Sequence, residues 1–201
     1  MKARVCVVLL LCLCIATAVQ AGTYTLPVAC GGSYVTNGST EFNLNFGQSF
    51  SSIQSMTMTW SGQVVAGWYS DPVEGISGPW TGQFSARLYT EFPNISHSAS
   101  TPLLGRDTYP DAEQFDLTST FNGWGGPKPW DFLLDGQAYM RVYLIAAFHS
   151  GGGGGSLPTG TLDEGAYVTL EATPIPEPTG LLCLAMGALP VAAGLLRHRR
   201  V

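Results

Sequence analysis

The chain has 201 residues and a formal net charge of −5, with 45% hydrophobic residues and only 11% charged ones. All 14 acidic residues lie between Glu41 and Glu177, a span that holds four of the nine basic residues, so this region carries a net charge of −10. Such a surface repels phosphate backbones and excludes nucleic acid as a partner, while leaving divalent cations compatible with it.

Lys2 and Arg4 precede an apolar run from Val5 to Ile15, and Val19-Gln20-Ala21 offers small residues for cleavage before Gly22. This is the pattern of an export signal over residues 1–21, its apolar run too short for a spanning helix. Cys12 and Cys14 lie inside it without the small residues of a lipoprotein cleavage box. Residues 22–173 then have the size of one domain with its own core. Cys30 is the single cysteine in that domain, so no disulfide forms within it. Stability rests on apolar packing and backbone ladders, with Cys30 expected to act as a small buried hydrophobe.

Through this domain the apolar residues recur with period two and nowhere sustain a period of 3.6. "EFNLNF" alternates Phe42, Leu44 and Phe46 with polar residues, and "SMTMTW" does the same with Met56, Met58 and Trp60. Ser61-Gly62 reads as a turn leading into "GQVVAGWY" as a hairpin partner. "FSARLYTEF" places Phe84, Ala86 and Leu88 on one face, after which residues 93–110 read as irregular. "EQFDLTSTF" alternates Phe115, Leu117, Ser119 and Phe121. Beyond a Gly/Pro/Trp loop, Asp135-Gly136 marks a turn into the strongest strand signal of the chain. There Ala138, Met140, Val142 and Leu144 face a core, with Tyr139, Arg141, Tyr143 and Ile145 opposite. The run Gly151 to Gly155 reads as a flexible loop, and "GAYVTLEA" as a last strand. Eight or so strands at this spacing predict an all-β fold, an antiparallel β-sandwich of jelly-roll type.

Residues 174–201 differ from all of this. Pro176-Glu177-Pro178 precedes eighteen uncharged residues, 179–196, and a basic cluster of Arg197, His198, Arg199 and Arg200 follows. At about 1.5 Å per residue the apolar run crosses most of a hydrocarbon layer about 30 Å thick. Gly180, Gly187, Gly194 and Pro190 are tolerated better in a bilayer helix than in an exposed one. The arginines place this end in the cytoplasm and the domain outside the inner membrane.

This three-part order, paired with an N-terminal export signal, resembles the PEP-CTERM sorting domain of envelope-rich bacteria. The resemblance is confined to the tail. It implies that an exosortase recognises Pro176, Glu177 and Pro178, helped by the anchors Arg197, Arg199 and Arg200, and removes the tail on the way to the cell surface or extracellular matrix. It also implies an association with exopolysaccharide production. Independently of that, a Pro-rich stretch is a stiff spacer between membrane and domain.

Little in the domain reads as catalytic. His97 and His149 share no metal-ligand spacing, and no nucleophile elbow accompanies the serines. The acid pairs Asp71/Glu74, Asp131/Asp135 and Asp163/Glu164 read as solvated loop and edge charges rather than the two carboxyls of a glycosidase. Asp107, Asp111, Glu113 and Asp116 offer hard oxygen ligands to calcium, the only cofactor the sequence suggests, without an EF-hand spacing. Trp68, Tyr69, Trp80, Trp124 and Trp130 lie in or beside Gly- and Pro-rich loops, where exposed rings can stack on sugars. The expectation is therefore an exported, non-enzymatic surface or matrix protein with a structural or adhesive role. A carbohydrate-binding module is the second reading and a secreted glycoside hydrolase the third.

Overall fold

The computed structural model describes residues 20–71, 75–89, 95–123, 130–147 and 154–175. Nearly all of the export signal, the tail from Pro176 onward with its apolar run and arginines, Glu74, Trp124 and His149 lie outside the described residues, while Pro174, the first residue of the tail as read from sequence, ends the last strand. Among the described residues no helix is long and apolar enough to cross a membrane.

The fold is all-β and antiparallel, as the period-two pattern predicts. In chain order the strands are β1 (Gly22–Pro27), β2 (Gly32–Val35), β3 (Ser39–Asn45), β4 (Phe50–Val65), β5 (Gly67–Asp71), β6 (Ile76–Tyr89), β7 (Ile95–Ser100), β8 (Glu113–Thr120) and β9 (Asn122–Gly123). A 3-10 turn (Asp131–Leu133) precedes β10 (Gln137–Ala147), β11 (Gly154–Ser156), β12 (Thr159–Leu162) and β13 (Tyr167–Pro174).

In the first sheet β4 is the spine. One of its edges pairs with β13 and then β12, which pair in turn with β1 and β2, and its other edge pairs with β8. Residues 163–166 stand opposite only Trp60 and Ser61, so the β12–β13 line bulges there, pinned by Asp163 N–H donating to the Ser61 carbonyl at 3.0 Å. The second sheet runs β3–β10–β6–β7–β9, and the first half of β6 carries β5 and then β11. Successive segments change sheet: β2 to β3 around Thr36, β4 to β5 at Ala66, and β7 to β8 through residues 101–112.

The two sheets share one core. Met56, Met58, Trp60, Phe115, Val168 and Leu170 from the first meet Phe84, Ala86, Leu88, Met140, Val142 and Leu144 from the second. Trp60 lies 6.4 Å from both Phe84 and Phe115, ring centroid to ring centroid, and Phe84 lies 5.8 Å from Phe115. Full burial of each such side chain is worth about 1.5–3 kcal/mol. Cys30 is buried here too, as expected of an unpaired cysteine. The outward side of the first sheet is a hydroxyl surface, in which Thr25, Thr169, Thr57 and Thr120 stand in one row across four strands.

Three local expectations are corrected. Gly154 and Gly155, at the end of the run read as a flexible loop, belong to β11 and pair with Ser70 and Tyr69 of β5. Ser61-Gly62 is no turn: both residues lie inside the 16-residue strand β4, and the chain bends only at Ala66. Glycine is needed at 62 because a Cβ there would fall 2.2 Å from the Thr161 carbonyl oxygen, so it permits close strand approach instead of reversal. Within the stretch read as irregular, Ile95–Ser100 forms β7. Its inward residues are His97 and Ala99, which give almost no apolar signal, and it is held by ladders to β6 and β9. The Asp135-Gly136 turn is present as expected: Gly136 takes φ +77, and the Asp135 carboxylate accepts from Gln137 N–H at 3.0 Å.

Candidate binding surfaces

The aromatic residues singled out from sequence do not form one platform. Trp130 stacks on His97 with ring centroids 3.8 Å apart and planes at 18°, and Phe132 closes the stack at 5.4 Å from His97. His97 is only 2% exposed, so Trp130 seals one end of the core over a buried imidazole. Strand alternation sends Tyr69 and Trp68 to opposite sides of β5. Tyr69 is buried and packs on Trp80 at 5.1 Å. Trp68 is exposed and packs on Tyr109 at 5.2 Å.

Tyr109 was hidden from sequence reasoning by its setting among the carboxylates of "RDTYPDAEQFD". Of those carboxylates, Glu113 accepts from the Gly105 backbone N–H at 2.5 Å and so staples the loop to the start of β8. Asp107 and Asp111 lie on the loop itself, where the Thr108 hydroxyl donates to the Asp111 carbonyl at 3.1 Å. Asp116 faces outward from β8 opposite Ser61. Among the described residues no three His, Cys, Asp or Glu side chains gather closely enough to hold a metal ion. Elsewhere Asp163 accepts from the Ser61 hydroxyl at 2.8 Å, tying the bulge to β4.

Among the described residues seven large hydrophobic side chains are exposed, and two of them, Trp68 and Tyr109, 37% and 39% exposed, pack on one another. Leu103 lies on the same loop as Tyr109, Leu157 follows the ladder partner of Trp68, and Val35 stands opposite Thr159 in the ladder of β2 and β12. Backbone contacts bring the segments together. Trp68 N–H donates to the Ser156 hydroxyl at 2.9 Å, the Thr36 hydroxyl donates to the Pro158 carbonyl at 2.8 Å, and Gly105 sits so close to Ala66 that a Cβ would come within 2.9 Å of its nitrogen.

The outward side of the second sheet has a different chemistry. Ladder register lines up Glu41, Arg141, Arg87, Ser98 and Asn122 across β3, β10, β6, β7 and β9. Beside that row stand Tyr143, Ser85 and Ser100 on one side, and Tyr139 and Tyr89 on the other. The Arg87 guanidinium lies 4.6 Å from the centre of the Tyr143 ring, and that of Arg141 lies 5.5 Å from Tyr89. Arg141 Nη2 donates to Glu41 at 2.5 Å. A hydrogen bond from the Tyr139 hydroxyl, followed by the Arg141 contact, lowers the Glu41 carboxyl pKa. Burial lowers the pKa of Arg87, whose guanidinium nonetheless remains charged at neutral pH. The Tyr143 hydroxyl is buried without a hydrogen-bond partner. At the Ser98 end the row opens into a groove of about 570 Å³ between β7 and β8, lined by Gln83, Ser98, Ser100, Thr118, Thr120 and Asn122 among others. Its polar lining is entirely hydroxyl and amide.

Comparison of the chain with protein-family models, with characterised proteins and with solved structures finds no match.

Proposed function

We propose that this protein is an exported jelly-roll sandwich that works by adhesion at the cell surface or in the extracellular matrix, without catalysis. The strand orders support the jelly-roll description: the lines β1/β2, β12/β13, β4 and β8 lie side by side in one sheet and β3, β10, β6 and β7 in the other. Export, retention outside the inner membrane and exosortase processing rest on the signal and on the Pro176-Glu177-Pro178 tail, with Arg197, Arg199 and Arg200 as its cytoplasmic anchor.

The observation that carries the adhesive role is the exposed aromatic pair Trp68 and Tyr109, packed on one another at 5.2 Å. Exposed rings brought together from a strand and a loop, where core demands do not reach, suit attachment to another surface component. The double substitution Trp68→Ser with Tyr109→Ser should lower the fraction of protein retained on the cell envelope several-fold and leave the melting temperature within a few degrees. Retention equal to wild type would remove the reading.

A further inference from the structure

Strand β8 is an edge of the first sheet, and its pairing phase fixes which of its backbone groups are left over. Phe121 N–H donates to the Met56 carbonyl at 2.9 Å, which continues the β4–β8 register by one step. Hydrogen-bonded and unbonded pairs alternate in an antiparallel ladder, so Ser119, Leu117 and Phe115 also bond to β4. The N–H and C=O groups of Gln114, Asp116, Thr118 and Thr120 therefore point the other way. Among the described residues no strand takes them, since β8 pairs with β4 alone. Only the Thr120 carbonyl has a partner, the Asn122 side-chain amide at 3.1 Å.

This open edge borders the groove of about 570 Å³ between β7 and β8, which leaves room for a further strand. The side chains of the groove are largely spent on one another and on nearby backbone. The Ser119 hydroxyl donates to the Ser100 carbonyl, the Ser100 hydroxyl to that of Ser85, and the Gln83 amide to the Thr101 carbonyl. What is left to solvent is backbone, which suits an added strand better than a sugar.

Phase, charge and shape select a second β8 as that strand. Two copies pair antiparallel only where even-numbered residues oppose even-numbered ones, because only these direct backbone groups outward. One register gives all four outward residues a partner: Gln114 meets Thr120 of the second copy, and Asp116 meets Thr118. Each step joins an amide or a carboxylate to a hydroxyl, and none sets Asp116 against Asp116, where like charges would destabilise the sheet. The same register brings Leu117, the partly buried apolar residue of β8 that lines the groove, onto its own copy at the two-fold axis.

We propose that two copies of the protein join β8 to β8 in this register, fusing their first sheets across an axis at Leu117. This goes beyond the adhesive reading and does not use the Trp68–Tyr109 pair.

Oxidative cross-linking of the full chain in membranes tests it. Leu117 and its copy form an unbonded pair with Cα atoms about 4.5 Å apart, within disulfide reach. Leu117→Cys should give a covalent dimer about fivefold above wild type, whose Cys30 is buried, and more of it as salt rises, because both domains are acidic. Gln114→Cys copies should not link to one another, since six residues at about 3.3 Å each separate them along the strand, but should link to Thr120→Cys copies. Adding Thr118→Asp to Leu117→Cys opposes two carboxylates and should cut the dimer about threefold, whereas adding Thr118→Lys should raise it. Trp68→Ser should leave the cross-link unchanged whether or not envelope retention is lost. A folded Leu117→Cys protein that links no better than wild type, Gln114→Cys copies that link to one another as readily as to Thr120→Cys copies, or equal yields with Thr118→Asp and Thr118→Lys would each overturn the proposal.

Discussion

At the scale of single residues, Trp60 shows how one side chain joins both sheets. Its indole N–H donates to the Ser119 hydroxyl at 3.2 Å, and that hydroxyl donates to the Ser100 carbonyl at 3.0 Å, linking β4 through β8 to β7. Ser119→Ala strands the indole N–H in the core and should cost about 1–3 kcal/mol in chemical denaturation. Ser98→Ala, on the outward side of β7, should cost far less. Cys30 makes a second prediction. Burial pushes its thiol from 9.0 up to about 11. Between those values the folded chain keeps a proton that the unfolded chain has released, so this residue's contribution to stability falls as pH rises from 9 to 11 and is constant below 9. Alkylation followed by peptide mapping should find Cys30 protected at neutral pH until the protein is unfolded; rapid native alkylation would contradict its burial.

At the scale of elements, the period-two pattern identified the inward residues of β4, β6, β8 and β10 correctly, because each strand buries one face and wets the other. Met56, Met58, Phe84, Ala86, Leu88, Met140, Val142 and Leu144 are all fully buried, as their alternation implies. What the pattern could not show is where a strand ends. Gly62 has the local chemistry of a turn, yet it sits where the Thr161 backbone presses on β4, a contact between residues about a hundred positions apart. Gly62→Ala should therefore cost about 1–3 kcal/mol by overpacking, where a glycine in a free turn would tolerate alanine. A melting temperature unchanged by this substitution would argue against the close approach. Strand β7 escaped detection for a related reason: its inward residues are only His97 and Ala99, and Trp130 and Phe132 arrive from elsewhere in the chain to cover His97.

On the scale of the whole molecule, the two outward faces differ in kind, one a threonine-rich hydroxyl surface and the other an arginine–tyrosine surface leading to a groove. The proposed delivery is a separate matter and rests on the termini. A chain truncated after Pro178 lacks the apolar run and the arginines, and should move from the membrane fraction to the soluble exported fraction. Mass spectrometry of the exported full-length product should find a C-terminus that has lost the arginine cluster. An intact tail on surface-located protein would rule out exosortase processing.

Sequence by itself determined the all-β class, the inward faces of the main strands and the charge balance, because each is written in local periodicity or composition. Only the tertiary structure decided which outward residues meet. Trp68 with Tyr109 and Arg87 with Arg141 are 41 and 54 positions apart in the chain. They are neighbours because strand register and sheet-to-sheet connections carry them together, and register is settled by the packing of the whole core rather than by any local stretch.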